Sequence, residues 1–216
     1  MKLPRIWHLE WSENLQNDDR RLPDQSCFDG KENVYTEKLD GEGTGCSKDF
    51  IHARSEDGYG KPWQHYMKKL YSCFAPNIPE GMIVYGENVY AIHSIGYDSL
   101  PTCFFVFAIL YKEEWLSWEE TVFTSELLGL DTVPEITRGP LFKLPCPKKS
   151  FFGTTCEGYV IRNVLSYKKD DFQTNIAKMV RKNHVQTDSV HWTQNWKPAK
   201  FIEDPIERLY RKMAGH

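Results

Sequence analysis

The apolar and polar positions of this chain fall into short β-like runs broken by a few stretches at helical spacing. "KENVYTEKL" is β-compatible and leads straight into Asp40-Gly41, a dipeptide that favours tight reversals, so a strand entering a turn is predicted there. In "KPWQHYMKKLYSCF", Trp63, Tyr66, Met67, Leu70 and Phe74 share one helical face, and the loop around Pro76 and Pro79 ends the helix. From "GMIVYGENVYAIHSIGY" through "CFFVFAILYKEEWLSW" the runs are aromatic and β-rich, and read as central strands joined by a hairpin or short loop. "WLSWEETVFTSELLGL" reads as a strand end, a capping Ser117 and a helix closed by Gly129.

The Pro-punctuated segment Thr132 to Lys149 is predicted to be connecting structure. "TCEGYVIRNV" and "QTNIAKMVRKNHV" are predicted strands, and "DPIERLYRKMAGH" a short terminal helix. Residues 1–30, rich in Pro and Asp, are expected to form an N-terminal arm packed on the domain. There is no internal repeat. Without a regular β-α-β alternation, the order favours a single α+β domain of antiparallel sheets flanked by helices over a doubly wound fold.

Composition narrows this picture. At 216 residues and 40% hydrophobic content, the chain supports one sizeable core and leaves no room for a second full domain. A formal net charge of -3 excludes a uniformly basic coat, so any nucleic-acid contact needs a local basic surface. The aromatic share of 14%, with 7 Trp, offers faces on which bases stack. The 6 cysteines have no paired CxxC spacing and no signal peptide precedes them, so they read as reduced intracellular thiols. The longest apolar run, "CFFVFAIL", is strand-sized, and a cytoplasmic protein without membrane contact is expected. The 7 histidines show no HxH or HExxH grouping, so His184 and His191 read as packing or RNA-contacting residues.

The chemistry centres on Lys38, at the lip of the acidic, glycine-rich turn in "NVYTEKLDGEGTG". A nucleophilic lysine must be uncharged when it attacks, which calls for burial or cationic neighbours. "AKMVRK", with Lys178, Arg181 and Lys182, offers such cations, which would also attract a triphosphate. K-x-D-G alone arises by chance in roughly one protein of this size in twenty. Here it heads an ordered series: "EKLDG", "HARS", "YGE", "FFVFAIL", "EGYVIR" and "IAKMVRK".

In that order the chain resembles the covalent nucleotidyltransferase superfamily of ATP-dependent ligases and capping enzymes. It is most similar to RNA ligases of the phage RNA ligase 2 type and their bacterial and eukaryotic relatives, as "HLEWS", "TEK", "NHVQT" and the following "HW" suggest. The resemblance implies an adenylation domain over the whole chain, ATP and Mg²⁺ or Mn²⁺ as cofactors, and RNA 5′-phosphate and 3′-hydroxyl ends as partners, such as a nicked duplex.

It also implies roles. Lys38 would take up AMP, Glu37 would lie along the adenine, and Asp40 would lie near the ribose or the nucleophile. Arg54 would grip a phosphate, Glu87 a ribose hydroxyl, and Phe107 would stack on adenine. Glu157 would hold the metal, since a carboxylate can fix a divalent cation against phosphates; alternation from it points Tyr159 and Ile161 inward. Lys178 matches one lysine of the last motif.

Departures from the family pattern are Ala108 where an acidic residue commonly follows the Phe, which leaves Phe105 and Phe107 both open, and Val180 in place of a second lysine, for which Arg181 or Lys182 would substitute. Two other functions compete. A GTP-dependent capping guanylyltransferase would carry an OB-fold domain, and the chain ends too soon after Lys182 to hold one. A non-catalytic nucleotide- or RNA-binding repair domain would share the fold alone. With no OB-fold domain, RNA would be held by a helper protein or by basic residues such as Lys168, Lys169, Arg181 and Lys182 with the "HWTQNW" tail.

Overall fold

The computed structural model describes residues 1–15, 19–54, 59–182, 184 and 195–215. The order of elements is β1 (Trp7–His8), β2 (Asn33–Lys38), β3 (Glu42–Cys46), β4 (Ile51–Ala53), α1 (His65–Phe74), β5 (Met82–Asn88), β6 (Phe104–Tyr111) and β7 (Glu114–Trp115). Then come α2 (Trp118–Leu127), β8 (Asp131–Thr132), β9 (Glu135–Gly139), β10 (Gly158–Asn163), β11 (Tyr167–Lys168), β12 (Ile176–Val180) and α3 (Pro205–Ala214). Two sheets result, one ordered β1-β12-β10-β2-β9, the other β11-β7-β6-β5-β3-β4 with β8 beside β6. All pairs are antiparallel except β1 with β12 and β6 with β8. The α+β antiparallel architecture is the expected one, and no OB-fold barrel occurs among the described residues.

The helices form where the spacing predicts. α1 buries Met67, Leu70 and Phe74 against the larger sheet and touches α3, where Tyr66 donates to Asp204 at 2.8 Å. Ser117 caps α2 in a reciprocal box with Glu120, so two otherwise orphaned amides are satisfied. Asp204 caps α3 just ahead of Pro205.

The turn at Asp40-Gly41 differs from the expected reversal. β2 belongs to the smaller sheet and β3 to the larger, so the turn is a crossover between sheets. Gly41 is required by a close approach, because a Cβ there would lie 2.5 Å from the Asn88 carbonyl oxygen. β5 and β6 do pair, but residues 89–103 between them make a long excursion in place of a short loop. That excursion buries Ile95, Tyr97 and Leu100 and pins the turn. Ser94 and the Ile95 amide donate to the Asp40 carboxylate, and the Asp40 amide donates to Tyr97 at 2.8 Å. The segment predicted as connecting structure contains β9, an edge strand beside β2 that its prolines flank.

The arm covers the outer face of the smaller sheet, with Leu9, Leu22 and Phe28 packed on Tyr35, Tyr159 and Ile161. Tyr159 and Ile161 therefore face away from the cavity, and Val160 and Arg162 face it. Alternation from Glu157 fails because that residue precedes the strand. Gly158, where a Cβ would sit 1.9 Å from the Met179 carbonyl oxygen, lets β10 press against β12.

Candidate active site

Between the sheets lies a cavity of about 580 Å³, lined by Glu37, Lys38, Arg54, Glu87, Phe107, Glu157 and Lys178. Lys38 ends β2, and its Nζ donates to Glu157 Oε2 at 2.7 Å. Glu87 leaves β5 on the same side and accepts from the Gly41 amide at 3.0 Å, which ties it to the crossover. Asp40 stands behind the cavity lining, its Oδ2 occupied by Ser94 and Ile95. Arg181 and Lys182 follow the end of β12 outside the lining; Arg181 Nε donates to the Cys156 carbonyl at 2.8 Å.

The electrostatics correct the cationic surroundings expected for Lys38. Burial disfavours its ammonium, but Glu157, then Glu87 and Asp40, outweigh burial and hold it above the ordinary lysine range. Burial pushes Glu157 up to about 7 despite Lys38, with Asp40 adding to the rise. Glu87 is pushed up to about 8, again chiefly by burial. Asp40 stays below the usual carboxylate range because Ser94 and Lys38 offset its burial. Three carboxyl groups thus surround one ammonium, and Glu157 and Glu87, raised by burial, would ionise more readily beside a further cation.

Asp40, Glu157 and His184 supply a donor set for that cation. One ligand atom from each lies within 4.8 Å of the others, and all three residues are buried. His184 Nε2 is 3.4 Å from Glu157 Oε1. The residues therefore fit a divalent metal, and their two carboxylates suit Mg²⁺ or Mn²⁺. The sequence assigned His184 to packing or RNA contact, because its 27-residue distance from Glu157 matches no metal-binding spacing. His191 and residues 192–194 lie outside the described residues.

The opposite end of the cavity suits a base. The pairing of β5 with β6 slips by one residue between Tyr85 and Gly86, leaving Phe107 without a partner across the pair and turned to the cavity. Phe105 is in the core, its ring 5.0 Å from that of Phe152. Arg162, 1% exposed and absent from the sequence candidates, donates to the Phe107 carbonyl and lies over the Trp118 ring at 5.4 Å. Glu37 Oε2 accepts from the Phe151 amide, while its buried Oε1 has no hydrogen-bond partner. Burial holds the Glu37 carboxyl above its usual range.

Of the expected RNA-binding lysines, Lys169 is paired with Glu113 at 3.1 Å, and Lys168 lies on β11; neither lines the cavity. Among the described residues no helix is long and apolar enough to cross a membrane.

No curated protein sequence matches the chain. Among solved structures, a Naegleria gruberi RNA ligase E227A mutant with ATP and Mn has TM-score 0.55 and 16% identity, over 84% of this chain and 58% of that one. The same ligase with PPi has TM-score 0.54 and 16% identity, over 83% and 57%. A K326A mutant of it with ATP and Mn has TM-score 0.53 and 16% identity, over 78% and 60%. These likenesses show a shared fold, and the chain spans no more than about three-fifths of the length of those ligases. The family model described as RNA ligase matches residues 31–180, from two residues before β2 to the last residue of β12. The chain belongs to the RNA ligase family.

Proposed function

We propose that this protein joins RNA ends with ATP through a lysyl-AMP intermediate. The Lys38 nitrogen attacks the α-phosphorus of ATP; an N–P bond forms as the P–O bond to pyrophosphate breaks, and pyrophosphate leaves. An oxygen of an RNA 5′-phosphate then displaces the lysine from AMP, and a 3′-hydroxyl finally displaces AMP to form the phosphodiester. The observation that carries this reading is the convergence on one cavity of a lysine amine, the Glu157 carboxylate 2.7 Å from it, an aromatic face and phosphate-binding cations.

Each residue has work to do in this scheme. Phe107 stacks on the adenine, and the unpartnered Glu37 oxygen accepts from its amino group. Glu87 receives a ribose hydroxyl, while Arg54 and Lys178 hold phosphate oxygens. Asp40, Glu157 and His184 would hold the metal, Mg²⁺ or Mn²⁺, which supplies charge neutralisation at the phosphates. A cation held by Glu157 would offset part of the negative charge that, with Glu87 and Asp40, keeps Lys38 protonated, while burial of Lys38 acts toward the neutral amine. The site of action we assign is the cytoplasm, as the cysteine usage suggests, and the substrate RNA 5′-phosphate and 3′-hydroxyl ends, of which a nicked duplex is one arrangement, with a helper protein or the protein's own basic surface to hold them.

Incubation with labelled ATP and Mn²⁺, followed by a denaturing gel, tests the reading. A covalent adduct absent from Lys38→Ala, and sealing of a nicked RNA duplex, are expected. Labelling by GTP in place of ATP would assign a capping-type transfer, and no adduct with either nucleotide would reduce the protein to a binding module.

A further inference from the structure

The matched family region begins at residue 31, yet the arm before it walls the cavity from Lys2 to His8 and again at Asn14, Asp19 and Arg20. β1 lies beside β12 with His8 opposite Lys178, and the Leu9 amide donates to the Lys178 carbonyl at 2.8 Å. This pairing supports a line of polar groups. The Val180 amide donates to Ser12 Oγ at 3.0 Å, and Ser12 Oγ lies 2.7 Å from His8 Nδ1. His8 Nε2 faces Asp19 Oδ2 at 3.1 Å, and Lys178 Nζ donates to Asp19 Oδ1 at 3.1 Å.

The protons in this line have one consistent arrangement. Burial, with help from Lys178, pushes His8 down to about 4, so the ring is neutral and carries a single N–H. With that proton on Nε2, which faces Asp19 as an electrostatic contact outside hydrogen-bond geometry, Nδ1 accepts from the Ser12 hydroxyl. Ser12 and His8 are 2% and 1% exposed, and the hydroxyl oxygen is already engaged by Val180, so the line is not a nucleophilic triad. It starts at the Val180 amide and ends at the Lys178 side chain, two residues apart on β12. The strand that bears the lysine also orients the carboxylate that holds it.

We propose that Asp19, carried by the N-terminal arm and oriented by His8 and Ser12, is a positioning residue that holds the Lys178 ammonium in the cavity for the phosphates of the nucleotide. The phosphate role rests on the ligase reading; the pair itself does not. The arm is thereby a working part of the nucleotide site. The charged groups acting on Lys178 are Lys38, Asp19 and Glu157. Burial and Lys38 push it below the ordinary lysine range, against the pull of Asp19 and Glu157. Without the Asp19 charge, Lys178 is more often neutral and free to swing.

The test uses full-length Asp19→Asn and Asp19→Glu with two readouts. Acetylation by acetic anhydride at about pH 8, with the peptide bearing residue 178 measured by mass spectrometry against exposed Lys68, reads the amine without turnover. Lys178 should label several-fold faster in Asp19→Asn and near the wild-type rate in Asp19→Glu. Single-turnover labelling with ATP should then be about 10- to 100-fold slower in Asp19→Asn, the range typical for loss of a group that orients a functional residue. The loss should deepen as pH rises, with a smaller change in half-saturating ATP. A folded Asp19→Asn whose Lys178 labels at the wild-type rate overturns the proposal. So does faster Lys178 labelling with adenylylation unchanged. If Asp19→Asn does not fold, His8→Gln, which keeps the carboxylate but loosens it, should show a smaller rise in Lys178 labelling, and no rise is equally fatal. Absence of adenylylation in the wild type would defeat the ligase reading, and the acetylation result would then decide the pair alone.

Discussion

Two lysines face the same cavity, each beside one carboxylate, and their surroundings shift them in opposite directions, Lys38 above and Lys178 below the ordinary lysine range. Lys38 lies 2.7 Å from Glu157 and Lys178 lies 3.1 Å from Asp19, so contact distance does not distinguish them. The second layer of charge does. Glu87 and Asp40 stand behind Glu157 and keep Lys38 protonated, whereas Lys178 has Asp19 shared with His8 and feels the repulsion of Lys38. In the proposed mechanism, the lysine that must lose its proton to act is thus the one whose surroundings favour its ammonium. Its partner, Glu157, is also one of the three residues whose ligand atoms lie within 4.8 Å of one another. The comparison suggests that one lysine is released by chemistry at the site, while the other is held there throughout by the fold.

The contrast can be broken most severely at Lys38. Lys38→Ala and Lys38→Arg should both show no covalent AMP, because a guanidinium stays protonated past about pH 12 and offers no lone pair. Lys178→Arg, which keeps the charge, should retain labelling at about a tenth of the wild-type rate or better. Equal loss in the two arginine variants would erase the distinction.

Next in size is Glu157→Ala. It should lower Mn²⁺-dependent labelling about 100-fold or more, the scale of several kcal/mol of metal-assisted charge stabilisation, and abolish the rise in melting temperature on adding Mn²⁺. A normal Mn²⁺ response in the folded variant would remove Glu157 from the site.

The dependence on pH has opposite signs for activity and stability. Labelling should rise as Glu157 ionises through about 7. For stability, Glu157 and Glu87 have folded-state values of about 7 and about 8, above the unfolded value of about 4.3. Their contribution is fully present below that unfolded value and lost as pH rises through the folded ones. His8, held near about 4, works in the other direction only below about pH 6.5. Without metal, the protein should therefore melt at a lower temperature near pH 8.5 than near pH 6.5, and Mn²⁺ should recover more at the higher pH. Scanning fluorimetry across that range decides it; a rising melting temperature counts against the raised carboxylates.

The smallest expected effect separates the two phenylalanines. Phe107→Ala should weaken ATP binding by about 1–3 kcal/mol, the usual worth of a base–aromatic stack, with little effect on melting. Phe105→Ala should cost about 3–5 kcal/mol of stability, as truncation of a buried aromatic does. Calorimetry of ATP binding beside denaturant melts tells them apart, and an inverted result would exchange their roles.

Local pattern alone identified the helices α1, α2 and α3 and the strands bearing Lys38, Glu87, Phe107 and Lys178, because apolar spacing, caps and glycines act over a few neighbouring residues. The ordered motifs likewise marked the seven candidates that line the cavity. Everything that turns on charge state or facing came from the fold. Lys38 and Glu157 are 119 residues apart and Asp19 and Lys178 are 159 apart, so no local window contains either pair. The β-bulge chose Phe107 over Phe105, the crossover at Gly41 placed β2 and β3 in different sheets, and the arm brought His8 and Asp19 to a strand far along the chain. A sequence specifies which groups are available and how each short stretch folds; desolvation and Coulomb interaction depend on through-space distance, and only the tertiary structure sets that distance.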